Sequence, residues 1–257
     1  MRTIIRLARD LKIQFAVPNG VPLYLDVVRP EGAVNLPVIL VVHGGGWCLF
    51  DRKTTGAIPP IFARAGYVAV NIDYRLAPLH MYPAACEDLL TALTWIKEHI
   101  AEYGGDPARI GGIGFSAGGH LLGLLAMQQS ASFAGIVSWG GPMDMRHEPV
   151  TASGRGFVLG FLGACQHDDP ALYAGASPIN YVTPLAPPFL FIHGELDEAV
   201  PTHQSFQMAE ALQQAGVDAE VMLLPGAGHT PESPQLPVMQ AAWERILAFC
   251  HTHLQGE

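Results

Sequence analysis

Charge is scarce in this chain, and positive charge is scarcest. Of 257 residues, 14 are Lys or Arg and 23 are Asp or Glu, a formal net charge of −9. The few basic residues form no cluster. That excludes the electrostatic footprint of a nucleic-acid binder and of a protein that docks on anionic lipid. Cysteine is rare too. Cys48, Cys86, Cys165 and Cys250 are scattered, with no CxxC pair, so neither a zinc site nor a redox motif is indicated, and the four are expected to be buried free thiols. No histidine–carboxylate cluster has ligand spacing, so no metal or cofactor is expected. No apolar run reaches membrane-spanning length. The opening MRTIIRLARDLK is broken by arginines and runs into no apolar core, unlike a signal peptide. A cytoplasmic location is the default expectation, with a secreted one open. Repeats, low-complexity tracts and linkers are also missing, so residues 1–257 read as one domain. The sequence leaves the oligomeric state open, a homodimer included. What the chain does have is 49% hydrophobic residues, enough for a large globular core.

Those hydrophobic residues follow a regular alternation. KIQFAV (12–17) and VPLYLDVVR (21–29), joined by PNG, alternate as an edge hairpin would. LPVILVV (36–42) is continuously apolar, as in a strand buried on both faces. Further strands are expected at 67–72, 109–115, 133–139, 188–193 and 219–224. Helical spacing marks 83–103, 116–129, 202–215 and 236–254. Strands alternating with helices imply parallel crossovers, and hence an α/β domain with helices on both faces of a mostly parallel sheet. Between Trp139 and Pro187 the rhythm fails. This stretch, about 140–186, holds the glycine-rich GRGFVLGFLGA (154–164). It reads either as an insert that walls or partly covers a site, or as a surface excursion with its own small core.

GFSAGG, Gly114–Gly119, falls where a strand should end and a helix begin. In the pattern G-x-S-x-G the small residues allow a tight turn that lifts the serine hydroxyl above the strand end. A serine needs a base, and the base needs an orienting carboxylate. The chain order that suits this turn is serine, acid, histidine. FLFIHGELDEAVP puts Asp197 just past one strand, and LPGAGHT puts His229 just past the next. With parallel strands both fall at the same sheet edge as Ser116. Glu195 is the rival acid, although it sits within the turn. Asp144 and Glu148 open the insert. His193 reads as structural, His203 begins a helix, His120 should pack inside the helix after the turn, and His251 and His253 lie in the last helix.

HGGGW, His43–Trp47, follows the apolar strand 36–42. Three glycines let backbone amides approach a substrate, where they can stabilise a developing oxyanion by several kcal/mol. No phosphate-loop spacing accompanies them.

In order, HGGGW, DYRLAP (73–78), GFSAGG, HGELDEAVP (193–201) and GAGH (226–229) resemble the α/β-hydrolase esterases and lipases. The chain is similar to the hormone-sensitive-lipase-like carboxylesterases, and closer to the BD-FAE group, named for bifunctional feruloyl and acetylxylan esterases. SPINYVTPLAPPFLFIHGELDEAVP (177–201) carries most of that likeness. The resemblance implies an α/β-hydrolase fold with an eight-stranded sheet and a serine carboxylesterase acting on short-chain or acetyl and feruloyl esters. Ser116 would be the nucleophile, His229 the base, and Asp197 the residue that orients it. Gly45, Gly46 and the Ala117 amide would form the oxyanion hole, Gly44 would shape its turn, and Trp47 would line the substrate pocket or pack in the core. Asp73, Tyr74 and Arg75 resemble a structural network under the oxyanion loop. The helical N-terminal cap of many relatives is not seen, so any lid should come from the insert. The rival activities are an arylformamidase or other amide hydrolase on the same three residues and, of a different class, a binding protein without catalysis.

Overall fold

The structure, a computed structural model, describes residues 5–146, 151–229 and 236–255. Its centre is an eight-stranded sheet, ordered β1-β2-β4-β3-β5-β6-β7-β8. The strands are β1 (Leu7–Ala16), β2 (Leu23–Pro30), β3 (Leu36–Val42), β4 (Val68–Ile72), β5 (Gly105–Phe115), β6 (Gly135–Trp139), β7 (Phe189–Gly194) and β8 (Ala219–Leu224). β1 pairs antiparallel with β2, and β2 antiparallel with β4; every other pairing is parallel.

The period-two alternation of a strand sorts the apolar runs onto two faces. In β3, Val38, Leu40 and Val42 face one core, while Ile39 and Val41 face the other. The first core is covered by α2 (Ala84–His99), α3 (Ala117–Gln128) and α6 (His203–Gln214), through residues such as Leu93, Leu121 and Met208. The second is covered by α1 (Pro59–Arg64) and α7 (Leu236–Gln255), through Phe62, Ile246 and Phe249. Each fully buried side chain of this size contributes about 1.5–3 kcal/mol of transfer free energy. The continuous apolar runs thus need both helical layers.

β1 begins five residues earlier than the alternation indicates. Its register shifts between Asp10 and Ile13, and Lys12 sits there at φ 59°. A bulge on an edge strand breaks the pattern that would reveal the strand, and also discourages edge-to-edge pairing.

Among its described residues, the stretch after β6 forms α4 (Ala152–Leu162) and α5 (Pro170–Gly175) and no strand. Thr151 caps α4 by accepting from the Gly154 amide, and Asp169 caps α5 by accepting from the Leu172 amide. Val158, Phe161, Leu162 and Tyr173 are buried in the same core as α2 and α3, so the described part of the insert joins the main core. Of the cysteines, all free, Cys250 is buried, Cys48 and Cys86 are half-buried, and Cys165 is exposed, contrary to the expected burial. Cys165 sits on the surface of the insert, its Sγ 2.8 Å from Asp168 Oδ2. Among the described residues, no helix is long and apolar enough to cross a membrane.

Candidate active site

Parallel strands bring their C-terminal ends to one edge, and three of the loops there meet. The first joins β5 to α3. Ser116 takes φ 50° and ψ −119°, a strained conformation for a residue with a side chain. The corner is tight enough to require its glycines. A Cβ on Gly114 would lie 2.3 Å from the Gly118 oxygen, and one on Gly118 would lie 2.4 Å from the oxygens of Val42 and His43. The Ser116 amide donates to the Trp139 oxygen at 2.8 Å, which ties the corner to β6.

The other two loops follow β7 and β8. His229 Nε2 lies 2.8 Å from Ser116 Oγ, and His229 Nδ1 lies 2.7 Å from Asp197 Oδ2. Asp197 is buried, while the His229 side chain is 24% exposed and opens toward solvent. Asp197 Oδ1 accepts from the amides of Ala199 and Val200, both at 2.9 Å. Burial alone would raise the Asp197 pKa. Hydrogen bonds from His193 and His229, the charge of His229 and the Val200 amide outweigh it and hold the carboxyl far below the usual range. Asp197 is therefore a carboxylate across the working pH range. A hydroxyl, an imidazole and a carboxylate in this row can pass the hydroxyl proton to the imidazole as the oxygen attacks a carbonyl.

Glu195 is not in the row; its Oε2 accepts from the Gly226 amide at the surface. His193 is buried, as a structural histidine should be. Its Nδ1 lies 2.7 Å from Ser205 Oγ, and its Nε2 lies 2.8 Å from the Val200 oxygen and 3.2 Å from Asp197 Oδ2. The ring therefore braces Asp197 from behind, a contact the sequence reading missed. The signal was present: His193 is the last residue but one of β7, four residues before Asp197. Asp144 is buried but bonded to Arg146, and Glu148 lies outside the described residues.

The His43–Trp47 loop runs against the elbow. A Cβ on Gly44 would lie 2.8 Å from the Phe115 oxygen and 3.3 Å from Ser116 Cβ. Gly45 has φ 113° and Gly46 φ 57°, and the Gly45 oxygen accepts from the amides of Cys48 and Leu49. Ala117 opens α3 beside this loop, where a helix N-terminus favours negative charge. Beneath the loop, Tyr74 stacks on the His43 ring at 4.2 Å and donates to the His43 oxygen. Asp73 pairs with Arg52, and Arg75 with buried Asp88. Tyr74 thus bonds the loop directly, while Asp73 and Arg75 hold separate ion pairs. Trp47 borders the cavity, yet its side chain is buried and stacked on Phe161.

Ser116, His229 and the glycine loop open into a cavity of about 590 Å³. Leu49, Phe50, Ile58, Met145, Phe157 and Val158 give it an apolar lining. Phe157, from α4, lies on Gly46: a Cβ there would meet its ring at 2.6 Å. Two polar groups on the wall are engaged within the protein. Gln204 accepts from the Met143 and Asp144 amides and donates to the Asp144 oxygen, and the Asp144 carboxylate holds Arg146. Among the described residues, no group of three or more His, Cys, Asp or Glu side chains could hold a metal ion.

A serine elbow at the end of a central parallel strand, faced by a carboxylate and a histidine from the loops after the last two strands, defines an α/β-hydrolase. The BD-FAE family model matches residues 25–212, most of the chain, and the chain belongs to that family. A second model, the C-terminal part of BAAT and acyl-CoA thioester hydrolases, matches residues 177–254. Esterase LipQ of Mycobacterium tuberculosis is 33% identical over 237 residues, 82% of this chain and 55% of that protein. Esterase LipC of the same organism is 34% identical over 225 residues, 80% of this chain and 56% of that protein. The chain thus spans about half the length of these relatives. Among solved structures, a Pyrobaculum calidifontis esterase superposes with a TM-score of 0.83 at 26% identity, covering 96% of this chain and 85% of that one. A truncated carbohydrate esterase from gut microbiota has a TM-score of 0.81 at 24% identity, a likeness of fold, and covers 95% of this chain and 96% of that one.

Proposed function

We propose that this chain is a serine carboxylesterase that cleaves short-chain or acetyl and feruloyl esters through an acyl-enzyme. The observation that supports it most is the unbroken hydrogen-bonded row from Ser116 through His229 to Asp197, opening beside a glycine loop into an apolar cavity. Ser116 Oγ attacks the ester carbonyl while His229 Nε2 takes its proton. The carbonyl oxygen becomes an oxyanion held by the amides of Gly45, Gly46 and Ala117. The C–O bond to the alcohol then breaks, and His229 returns the proton to the leaving oxygen. Water, deprotonated by His229, attacks the acyl-serine and releases the acid. Asp197 keeps the Nδ1 proton of His229 in place and balances the imidazolium.

In this reading residues 1–257 act as one domain, and the 140–186 segment serves as a partial lid, its α4 forming one wall. An apolar space of about 590 Å³ exceeds what an acetyl group needs and suits an aromatic or compact aliphatic group on one side of the ester. Gln204 and Asp144 are engaged within the protein, so sugar hydroxyls, if present, would have to turn to other polar lining residues such as Thr54 and Ser153.

The test is hydrolysis of p-nitrophenyl esters from acetate to palmitate, with methyl ferulate, acetylated xylan and a formanilide alongside, for wild type and Ser116→Ala. Turnover of short-chain and aromatic esters, abolished in Ser116→Ala, is the expected result. Faster cleavage of the formanilide than of phenyl acetate would replace the esterase reading by the amide one. A folded wild type that turns over neither would discard both.

A further inference from the structure

We propose that Trp47 and His120 are positioning residues that lock the oxyanion loop to the helix carrying Ser116. The inference rests on the esterase reading above, in which Gly45 and Gly46 donate to the oxyanion.

Three consecutive residues of the loop, Gly45, Gly46 and Trp47, have φ of 113°, 57° and 61°. Glycine adopts such values freely. A bulky residue does so under strain, and stays there only where its surroundings over-determine it. Trp47 has such surroundings. Its oxygen accepts from the Ala77 amide at 3.0 Å. Its ring stacks on Phe161 of α4 with centroids 4.7 Å apart. Its Nε1–H donates to His120 Nδ1 at 3.1 Å, wholly inside the protein.

That last bond decides the state of His120. Since Nδ1 accepts, the proton must sit on Nε2, which donates to the Ala176 oxygen at 2.7 Å. A second proton would set two N–H groups against each other, so the ring is neutral. Burial acts in the same direction and pulls its pKa to about 4.

His120 lies one helical turn past Ser116, and its amide donates to the Ser116 oxygen at 3.1 Å. A single helix therefore holds the proposed nucleophile at its N-cap and the acceptor for Trp47 one turn further on. The path Ser116–His120–Trp47–Gly46 sets where the loop amides stand relative to Ser116 Oγ. The Ala176 oxygen and Phe161 belong to the insert, so the same brace ties the insert to the oxyanion loop. Simple core packing would account for the stacking alone. It does not account for a residue kept at φ 61° with every polar atom of the brace paired in one direction.

The experiment compares wild type, Ser116→Ala, Trp47→Phe, His120→Leu, His120→Gln and the double variant Trp47→Phe/His120→Leu. Trp47→Phe keeps a stacking ring but deletes the N–H together with part of the indole, so its loss is read beside that of His120→Leu, which leaves Trp47 whole. His120→Leu deletes acceptor and donor, and His120→Gln can restore both. Kinetics with p-nitrophenyl acetate are read at a temperature where circular dichroism shows each variant folded. Affinities are measured for a trifluoromethyl ketone, which forms an oxyanion on Ser116, and for an unreactive ether of the same shape.

Removing one oxyanion donor outright typically lowers kcat by about 10²–10³-fold. Misaligning the donors should lower it by about 10–100-fold in Trp47→Phe and in His120→Leu, with KM unchanged. Trifluoromethyl ketone affinity should fall by the same factor and ether affinity should hold. The double variant should be no worse than the poorer single, because both act through one path. His120→Gln should recover most of the loss. If Trp47→Phe and His120→Leu melt earlier but keep wild-type kcat and ketone affinity, the brace is only core packing and the proposal fails. If Ser116→Ala itself retains activity, the esterase reading falls and the brace falls with it.

Discussion

At the elbow, a methyl group on Gly118 would sit 2.4 Å from two carbonyl oxygens of the β3 end, so the chain there is confined by contact. Across the cavity, Asp197 is confined by donors instead: the amides of Ala199 and Val200 and the rings of His193 and His229. The elbow grows from β5, central in the sheet. The histidine loop grows from β8, the last strand, and its imidazole is partly open to water. The difference teaches which changes each half tolerates. A half held by contact is broken by adding atoms, and a half held by hydrogen bonds is broken by removing a charge or a donor. In the proposed reaction the attacking oxygen has to be fixed to a fraction of an ångström, whereas the base must rotate slightly as it takes and returns a proton. Rigid packing suits the first and a hydrogen-bonded hinge suits the second.

The largest effect should come from the polar half. Asp197→Asn keeps the shape but places an amide N–H against His229 Nδ1, which favours the wrong tautomer. By the behaviour of such triads, kcat should fall about 10⁴-fold. The melting temperature should fall as well, because the charge that His193 and His229 stabilise is gone, although the backbone donors can still reach the amide oxygen. A loss smaller than tenfold in steady-state kinetics would mean that Asp197 does not orient the base.

The next effect belongs to the contact half. Gly118→Ala adds one carbon where backbone, not a flexible side chain, is in the way. Overpacking of this kind costs about 3 kcal/mol. Denaturant melts should show that loss, and kcat should fall with it, because α3 must shift away from β3 and carry Ser116 along. A variant with wild-type stability would show that the elbow can relax, and the contrast between the two halves would weaken.

How much of this could be read from the sequence differs between the halves in the same way. Gly114, Ser116 and Gly118 are neighbours in the chain, so a steric rule that acts over five residues leaves a local motif. The positions of Asp197 and His229 follow from topology, since parallel strands deliver successive loops to one edge. The eight strands and helices α2, α3, α6 and α7 were legible for a related reason, since burial writes regular apolar patterns, whereas α1, six residues long, was too short to show one. What stayed hidden is set by packing between distant segments. Trp47 and His120 are 73 residues apart, and nothing in either neighbourhood announces the other. Phe157 reaches Gly46 only because α4 sinks its apolar face into the main core, and an apolar helix in the sequence does not say which core it joins. The bulge at Lys12 hid the first half of β1 by shifting the alternation it would have shown.

A polar group also lies inside the contact half, and pH can single it out. Burial lowers the pKa of His120 from 6.5 to about 4. The unfolded chain therefore binds a proton there at a pH where the folded chain does not. Stability from this group is complete above about pH 6.5, declines as pH falls toward 4, and is constant below. The span corresponds to about 3 kcal/mol. Burial also lowers His43 and His253, which titrate in the same direction, so the quantity to measure is wild type minus His120→Gln. In urea melts between pH 4 and 7, wild type should lose more stability on acidification than the variant. Asp197 acts lower: its depressed pKa gives stability that is present above the ordinary carboxylate range and lost as pH falls further. Parallel curves for the two proteins across pH 4–6.5 would show that His120 is not the buried neutral acceptor described.

The smallest effect tests whether the polar half is held from behind as well as from the front. His193→Phe keeps the ring volume and removes the N–H that faces Asp197 Oδ2. It also leaves Ser205 and the Val200 oxygen each short of a partner, at about 1–3 kcal/mol per group. Since the amides of Ala199 and Val200 still hold Oδ1, Asp197 should swing by a few tenths of an ångström and not leave the site. A drop in kcat of about tenfold is expected, with KM steady. Ser205→Ala frees the His193 ring from its anchor without touching Asp197, and should reproduce a part of that drop. If His193→Phe loses stability but no kcat, the front partners alone hold Asp197, and His193 is a core histidine that happens to lie beside it. If both variants slow the reaction in that order, the carboxylate is steered through a buried relay, and the hydrogen-bonded half reaches as deep into the fold as the contact half does.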